Sequence, residues 1–270
     1  MNKTTCPSWE DRRTVDLRGL RVTLSRPILV ARSRGFHWFP CIARLGGGDL
    51  IATVATTADA YIPQPDAAQY RSRDGGLTWQ PLPALQGQFF SSLSLPGGDR
   101  VYLPYHLRPA GDCIQGDSFL LPADGGPPQR RANSVRVVLP RKDRSFAPDL
   151  GFAGVVFDGQ TLRARDGAYL ACMYGRFEDD KRYSTILVES PDAVDWRCRS
   201  VIAGPDCPLE GEEGPCETTL CRLADGRLMC VFRLASFKPF GQVFSSDDGR
   251  SWSPPAAMEA LSVEDRKSVV

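Results

Sequence analysis

The chain alternates between short apolar runs and clusters of turn-forming residues. "DLIATVA", "DRVYLPYHL", "GAYLACMYG" and "GRLMCVFRL" each start at a turn residue and then run or alternate apolar for several positions. Such runs, bounded by Gly, Pro and Asp, predict β-strands. No stretch carries a long 3.6-residue period, so an all-β chain is expected. The runs begin near Asp49, Asp99, Gly167 and Gly226, at intervals of 50, 68 and 59 residues. Repeats of that size predict the blades of a β-propeller, with about four blades visible.

Three of the four repeats carry a further strand that feeds a tight turn. The segments are "AQYRSRDGGLTW", "TILVESPDAVDW" and "GQVFSSDDGRSW". The first places Ser72, Asp74, Gly76, Thr78 and Trp79 in the pattern S-x-D-x-G-x-[ST]-W. The last places Ser245, Asp247, Gly249, Ser251 and Trp252 in the same pattern. The middle copy keeps Ser190, Asp192 and Trp196, has no glycine and is one residue shorter. "VRVVLPRKDRSF" reads as a more eroded copy, with Phe146 in the tryptophan position. Aspartate accepts hydrogen bonds from nearby backbone N–H groups and fixes such a turn. Glycine adopts a positive φ without a Cβ clash. Tryptophan then offers a large ring for packing between sheets. The turn is expected to be structural, repeated because the blade is repeated.

Composition narrows the picture further. The apolar fraction of 42% is enough to bury a core, and the net charge of +1 gives no sign of a nucleic-acid binder. No run reaches the roughly 18 apolar residues of a membrane span. The opening "MNKTTCPSWEDRRTVDL" lacks an apolar secretory segment, so a cytoplasmic location is expected. Nine cysteines then read as reduced, mostly buried thiols. Cys207, Cys216, Cys221 and Cys230 cluster without CxxC spacing, and His37 and His106 lie far upstream. No metal site and no organic cofactor is expected. Residues 1–19 read as an N-terminal extension, 20–258 as the propeller and 259–270 as a polar tail.

The S-x-D-x-G-x-[ST]-W turns resemble the Asp boxes of the sialidase (neuraminidase) superfamily, whose propellers have six blades. A second stretch, "GPCETTLCRLADGRLMCVFRL", resembles the sialidase segment in which a glutamate precedes an L-x-D-G-x-L hairpin and an arginine ends the next strand. Glu217 and Arg233 match those two residues, 16 positions apart. The resemblance implies that Glu217 activates a tyrosine nucleophile and that Arg233 helps to clamp a substrate carboxylate. A planar guanidinium suits that task through two parallel hydrogen bonds. A third stretch, "GFHWFPCIARLGGGDLIATV", is similar to the sialidase F/Y-R-I-P segment and its hairpin. Pro40 matches the proline, but Trp38 stands in the arginine position and His37 in the aromatic one. His37 and Trp38 are therefore either a face that stacks on a sugar ring or plain core packing. The family's acid/base aspartate lies between this hairpin and the first Asp box. Asp59 and Asp66 are both available there, and Asp59, 13 residues before Ser72, fits the spacing better.

The resemblance covers residues 20–258 and the first two thirds of a sialidase domain. The family's third clamp arginine and its tyrosine nucleophile fall in later blades, so the chain reads as a piece of a longer propeller or as a shortened relative. "VDLRGLRVTLSRPILV" offers one closing strand. Tyr61, Tyr105, Tyr174 and Tyr183 lie near strand ends, and none sits at the family's nucleophile position. Arg108 and Arg176 follow runs of inner-strand type, where surface solvation competes with an axial role. Three functions remain open. The first is a sialidase-like glycoside hydrolase removing a terminal, acidic sugar from glycoconjugates. The second is a non-catalytic propeller that binds a glycan or a protein partner. The third is a degenerate product whose open strand edges favour aggregation.

Overall fold

The computed structural model describes residues 12–17, 20–57 and 66–258. Strands β1 (Arg12–Leu17) and β2 (Leu20–Ser25) form a separate antiparallel hairpin. The remaining strands build four blades, antiparallel within each; the outer strands of the second and third blades also pair in parallel, Arg136–Val138 beside Asp195–Arg197, and join those two into one sheet. The first contains β3 (Trp38–Arg44), β4 (Leu50–Ala55), β5 (Asp66–Ser72) and β6 (Gln80–Gln86). The second contains β7 (Ser91–Ser94), β8 (Arg100–Leu103), β10 (Cys113–Leu121) and β11 (Gln129–Val138), with β9 (Arg108–Ala110) added beside β10. The third contains β12 (Val155–Arg163), β13 (Tyr169–Gly175), β14 (Ser184–Ser190) and β15 (Asp195–Ala203). The fourth contains β16 (Cys216–Arg222), β17 (Leu228–Arg233), β18 (Gly241–Ser245) and the short β19 (Ala256–Ala257). The fold is an all-β propeller. Among the described residues no helix is long and apolar enough to cross a membrane.

The four apolar runs form β4, β8, β13 and β17, the second strand of each blade. They are not of inner-strand type, as the reading of Arg108 and Arg176 assumed. The physical reason is burial. A second strand lies in mid-sheet with neighbouring blades on its faces, and every residue of β13 is buried. The first strand of each blade lines the axis, carries polar residues and reads poorly as a hydrophobic run. The hairpin of β1 and β2 also crosses the expected boundary between residues 19 and 20.

Blades stack through three apolar clusters. Leu45, Ile51 and Leu85 of the first blade meet Phe89, Phe119 and Leu121 of the second. Val101, Ile114 and Val137 of the second meet Phe157, Met173 and Trp196 of the third. Leu170, Leu187 and Ile202 of the third meet Leu220, Phe232 and Val243 of the fourth. Neither blade of a pair can cover its own faces, so the interfaces are the core.

The recurring turn joins the third and fourth strands of its blade. Ser72 Oγ donates to Asp74 Oδ1 (2.8 Å) and accepts from Gly76 N–H (2.8 Å). Asp74 also accepts from the Thr78 N–H (2.9 Å) and hydroxyl (2.6 Å). Ser245, Asp247, Gly249 and Ser251 repeat the same four bonds at 2.8, 2.8, 2.9 and 2.5 Å. The Thr78 bonds, followed by the Ser72 hydroxyl, hold the Asp74 carboxyl down at about 2. In the third blade Ser190 and Asp192 hold the turn, and Ala193 takes the left-handed φ of 66°. Trp196 is 2% exposed and packs edge-to-face on Phe157. Trp252 reaches across to the third blade, its Nε1 donating to Ser200 Oγ at 3.0 Å. Trp79 donates to the Gly76 carbonyl of its own turn.

Phe146 does not occupy such a turn. The corresponding connection of the second blade is 122–128, between β10 and β11. Phe146 instead follows β11 and meets Tyr183 edge-to-face at 5.8 Å.

Candidate functional site

The innermost strands β3, β7, β12 and β16 are tied to one another in order. The Cys41 thiol points to the Phe90 carbonyl at 3.9 Å. Ser91 Oγ donates to the Gly159 carbonyl at 2.9 Å. The Thr218 N–H donates to Asp158 Oδ2 at 2.9 Å. A Cβ on Gly159 would stand 1.9 Å from the Thr218 carbonyl oxygen, so only glycine permits this approach of β12 to β16.

Three of these strands are bulged, β3 and β16 near their first residues and β12 at its middle. Phe39 (φ 50°), Gly159 (φ 77°) and Glu217 (φ 42°) take left-handed backbone where the pairing register shifts. A bulge re-aims a side chain, and left-handed backbone at a non-glycine residue costs about 1–3 kcal/mol. At Glu217 two neighbours hold it. Asp158 takes the next N–H, and Arg233 pairs with the carboxylate.

The bulges open onto a cleft of about 520 Å³ to which all four blades contribute. Phe39, Pro40 and Cys41 come from the first blade, and Gln88, Phe90 and Tyr105 from the second blade and the segment leading into it. Asp158, Gln160, Tyr174 and Tyr183 come from the third, and Glu213, Cys216, Glu217 and Arg233 from the fourth and its entry loop. The aromatic rings form a connected wall. Phe39 meets Phe90 at 5.2 Å, Phe90 meets Tyr105 at 4.6 Å, and Tyr174 meets Tyr183 at 5.8 Å, all edge-to-face. The hydroxyls of Tyr105 and Tyr174 share a hydrogen bond of 2.7 Å.

Arg233, at the end of β17, bridges two carboxylates. Its Nη1 lies 3.0 Å from Glu217 Oε1, and its Nη2 donates to Glu213 Oε1 at 2.7 Å. The arginine side chain is 12% exposed and its partners Glu217 and Glu213 are 25% and 31% exposed, so the pairs are partly shielded from water. Burial, reinforced by Tyr105, Asp158 and Glu217, holds the Tyr174 phenol well above its ordinary value. Burial, and then Glu217, likewise pushes up the Cys216 thiol. Both stay protonated at neutral pH and are poor nucleophiles. Carboxylates are left as the bases of this cleft.

The structure brings Glu217 and Arg233 together. It places His37 and Trp38 beside the cleft, where His37 edges onto Tyr70 and Trp38 stacks on Phe36. The neighbours that line it are Phe39 and Pro40. Asp59 and Tyr61 lie outside the described residues; Asp66 opens β5. Arg108 caps the Leu150 carbonyl and sits over the Phe152 ring, in a second cleft between the first and second blades. Arg176 stacks on the Tyr183 ring at 4.8 Å and does not itself line the cleft. Sequence reasoning missed Asp158, Glu213, Phe39 and Phe90. The "FDG" of β12 was a usable signal, since a D-G pair inside an apolar run marks a bulge. Among the described residues no cluster of His, Cys, Asp and Glu is placed to hold a metal ion.

No protein-family model and no curated protein sequence matches this chain. Solved structures do. A protein of unknown function from Dyadobacter fermentans DSM 18053 aligns with a TM-score of 0.64 at 15% identity, over 86% of this chain and 72% of its own. A Hadza microbial sialidase aligns with a TM-score of 0.56 at 16% identity, over 88% of this chain and 53% of its own. The Penicillium chrysogenum alpha-L-arabinanase, solved with arabinobiose, aligns with a TM-score of 0.56 at 16% identity, over 82% of this chain and 66% of its own. The chain thus spans about half the length of the sialidase. At these identities the likeness is one of fold, a propeller shared with glycosidases.

Proposed function

We propose that this protein is a glycoside hydrolase of sialidase-like type, acting in the axial cleft to remove a terminal sugar from a glycoconjugate. The observation that carries the reading is Glu217. It sits on a left-handed bulge, paired with Arg233, in a cleft that four blades build. Backbone strain clusters at active sites and ligand clamps, and this outlier at a carboxylate on the cleft supports the reading.

Glycoside hydrolysis runs most often on two carboxylates. Glu217 is the first. Asp158, on the adjacent inner strand, is the second within the cleft, and Asp59 is the acid/base that the sialidase resemblance assigns. One carboxyl protonates the leaving oxygen while the other attacks or activates water. The high phenol pKa of Tyr174 favours this route over attack by that tyrosine.

The test is turnover of a panel of aryl glycosides, sialosides included. Glu217→Gln is expected to lower kcat at least 100-fold and to leave the melting temperature within a few degrees. Equal turnover by both forms would remove Glu217 from the mechanism. A second reading, a non-catalytic glycan-binding propeller, is favoured by Trp38 at the position of the first clamp arginine. It predicts no turnover in either form and glycan binding in both.

A further inference from the structure

We infer that the cleft selects an uncharged sugar and rejects an acidic one. This rests on the axial cleft being the glycan site. The sequence resemblance casts Arg233 as an anchor for a substrate carboxylate. The geometry gives that arginine other partners. One terminal nitrogen is held by Glu217 at 3.0 Å and the other by Glu213 at 2.7 Å. A bidentate clamp needs two free N–H groups on one edge of the guanidinium. Here each terminal nitrogen already carries one carboxylate, so a substrate carboxylate would have to share the guanidinium with Glu217 and Glu213, and Arg233 is 12% exposed at its side chain.

The charge lining the cleft points the same way. Asp158, Glu213 and Glu217 are the carboxylates on its wall, and Arg233 is the guanidinium. Their formal sum is negative. Arg176 stacks on the Tyr183 ring and is not among the residues that line the cleft. An incoming carboxylate would approach like charges in a partly desolvated space. The other polar side chains on the wall are neutral, the amides of Gln88 and Gln160 and the phenols of Tyr105, Tyr174 and Tyr183.

A neutral polyhydroxylated ring fits each of these features. Its hydroxyls donate to carboxylates, and its C–H face lies on the aromatic wall of Phe39, Phe90 and Tyr105. Trp38, at the position of a clamp arginine, removes a cation from the same neighbourhood.

The experiment compares sugars that differ only in the carboxylate. Aryl glucosides are paired with aryl glucuronides, and aryl galactosides with aryl galacturonides, in both anomers, with an aryl sialoside added. The expected result is a kcat/KM at least tenfold higher for a neutral glycoside than for its matched uronide. Glu213→Gln removes one negative charge from the wall while keeping an oxygen beside Arg233, and should shrink that ratio about tenfold. Faster turnover of a uronide or of the sialoside would overturn the inference and leave the hydrolase reading standing. If no glycoside turns over, the hydrolase reading fails, and saturation-transfer NMR with glucose, glucuronate, galactose and galacturonate decides the inference. Contact to the neutral sugars alone upholds it. Contact to the uronates, or to none, overturns it.

Discussion

Asp158 is the residue on which the geometry of the cleft depends, and Asp158→Ala tests that dependence. The substitution removes the oxygen that accepts the Thr218 N–H at 2.9 Å. Thr218 is 3% exposed, so water does not replace the lost partner. A buried N–H left without an acceptor costs about 1–3 kcal/mol, and the loss of a charged acceptor lies in the upper half of that range. At about 2–4 °C per kcal/mol for a chain near this size, the melting temperature should fall by roughly 4–12 °C. Asp158→Asn keeps an oxygen in place and discards only the charge, so its cost should stay under about 1 kcal/mol. Thermal and urea unfolding of the two variants side by side give the comparison. Turnover adds a second axis. The Asn variant should fold normally and lose activity, because the carboxylate is gone. If the Ala and Asn variants unfold within about 0.5 kcal/mol of each other, the bond to Thr218 does not anchor β16 and the reasoning fails.

Three further outcomes are expected. Ser245→Ala leaves the buried Gly249 N–H without its acceptor at 2.8 Å and should cost about 1–3 kcal/mol in urea unfolding, with activity unchanged. Gly159→Ala puts a Cβ 1.9 Å from the Thr218 oxygen at a φ of 77°. It should cost more than about 3 kcal/mol or abolish soluble expression, and a melting temperature equal to that of the parent would contradict the close approach. Burial, and then the neighbouring Arg108, lowers the His106 imidazole to about 4. The unfolded chain therefore binds a proton between about pH 6.5 and 4 that the folded chain does not, so stability falls as pH falls through that window. His106→Gln should flatten that part of the urea-midpoint profile, and an unaltered slope would place the histidine in solvent.

The parts of the fold that were legible in the sequence are those whose chemistry is local. Ser72 to Trp79 and Ser245 to Trp252 close their turns with side chains two to four residues apart, so the pattern and the structure are the same statement. The apolar runs also announced strands, but they were assigned to the wrong place in the blade. Mid-sheet burial makes β13 continuously apolar, whereas β16 reads "CETTLCR" because its end faces the axis. The inner strands were thus hidden by the polar positions that face the axis. Glu217 and Arg233 were visible through a motif within one hairpin. Asp158 and Glu213 reach the same cleft only through topology, Asp158 from the preceding blade and Glu213 from the loop before β16. No spacing rule within one segment connects them.

That division sets what each kind of change can do. The turns lie between third and fourth strands, away from the axis, and stabilise their own blade and, through Trp252 and Gly249 on Ser200, the seam between the third and fourth blades. The inner strands are coupled, since Ser91 holds Gly159 and Asp158 holds Thr218 beside the strained Glu217. Strain of about 1–3 kcal/mol at one residue persists only when its surroundings over-determine it. Here the surroundings are the Asp158 carboxylate of the neighbouring blade on the Thr218 N–H and the Arg233 ion pair within the same blade. Loosening any blade interface near the axis therefore relaxes Glu217 as well as the fold. Variants at the hub should lose stability and activity together, and variants at the turns should lose stability alone. A hub variant that is destabilised yet fully active would mean that Glu217 keeps its bulge without its neighbours, and the link from blade packing to chemistry would break there.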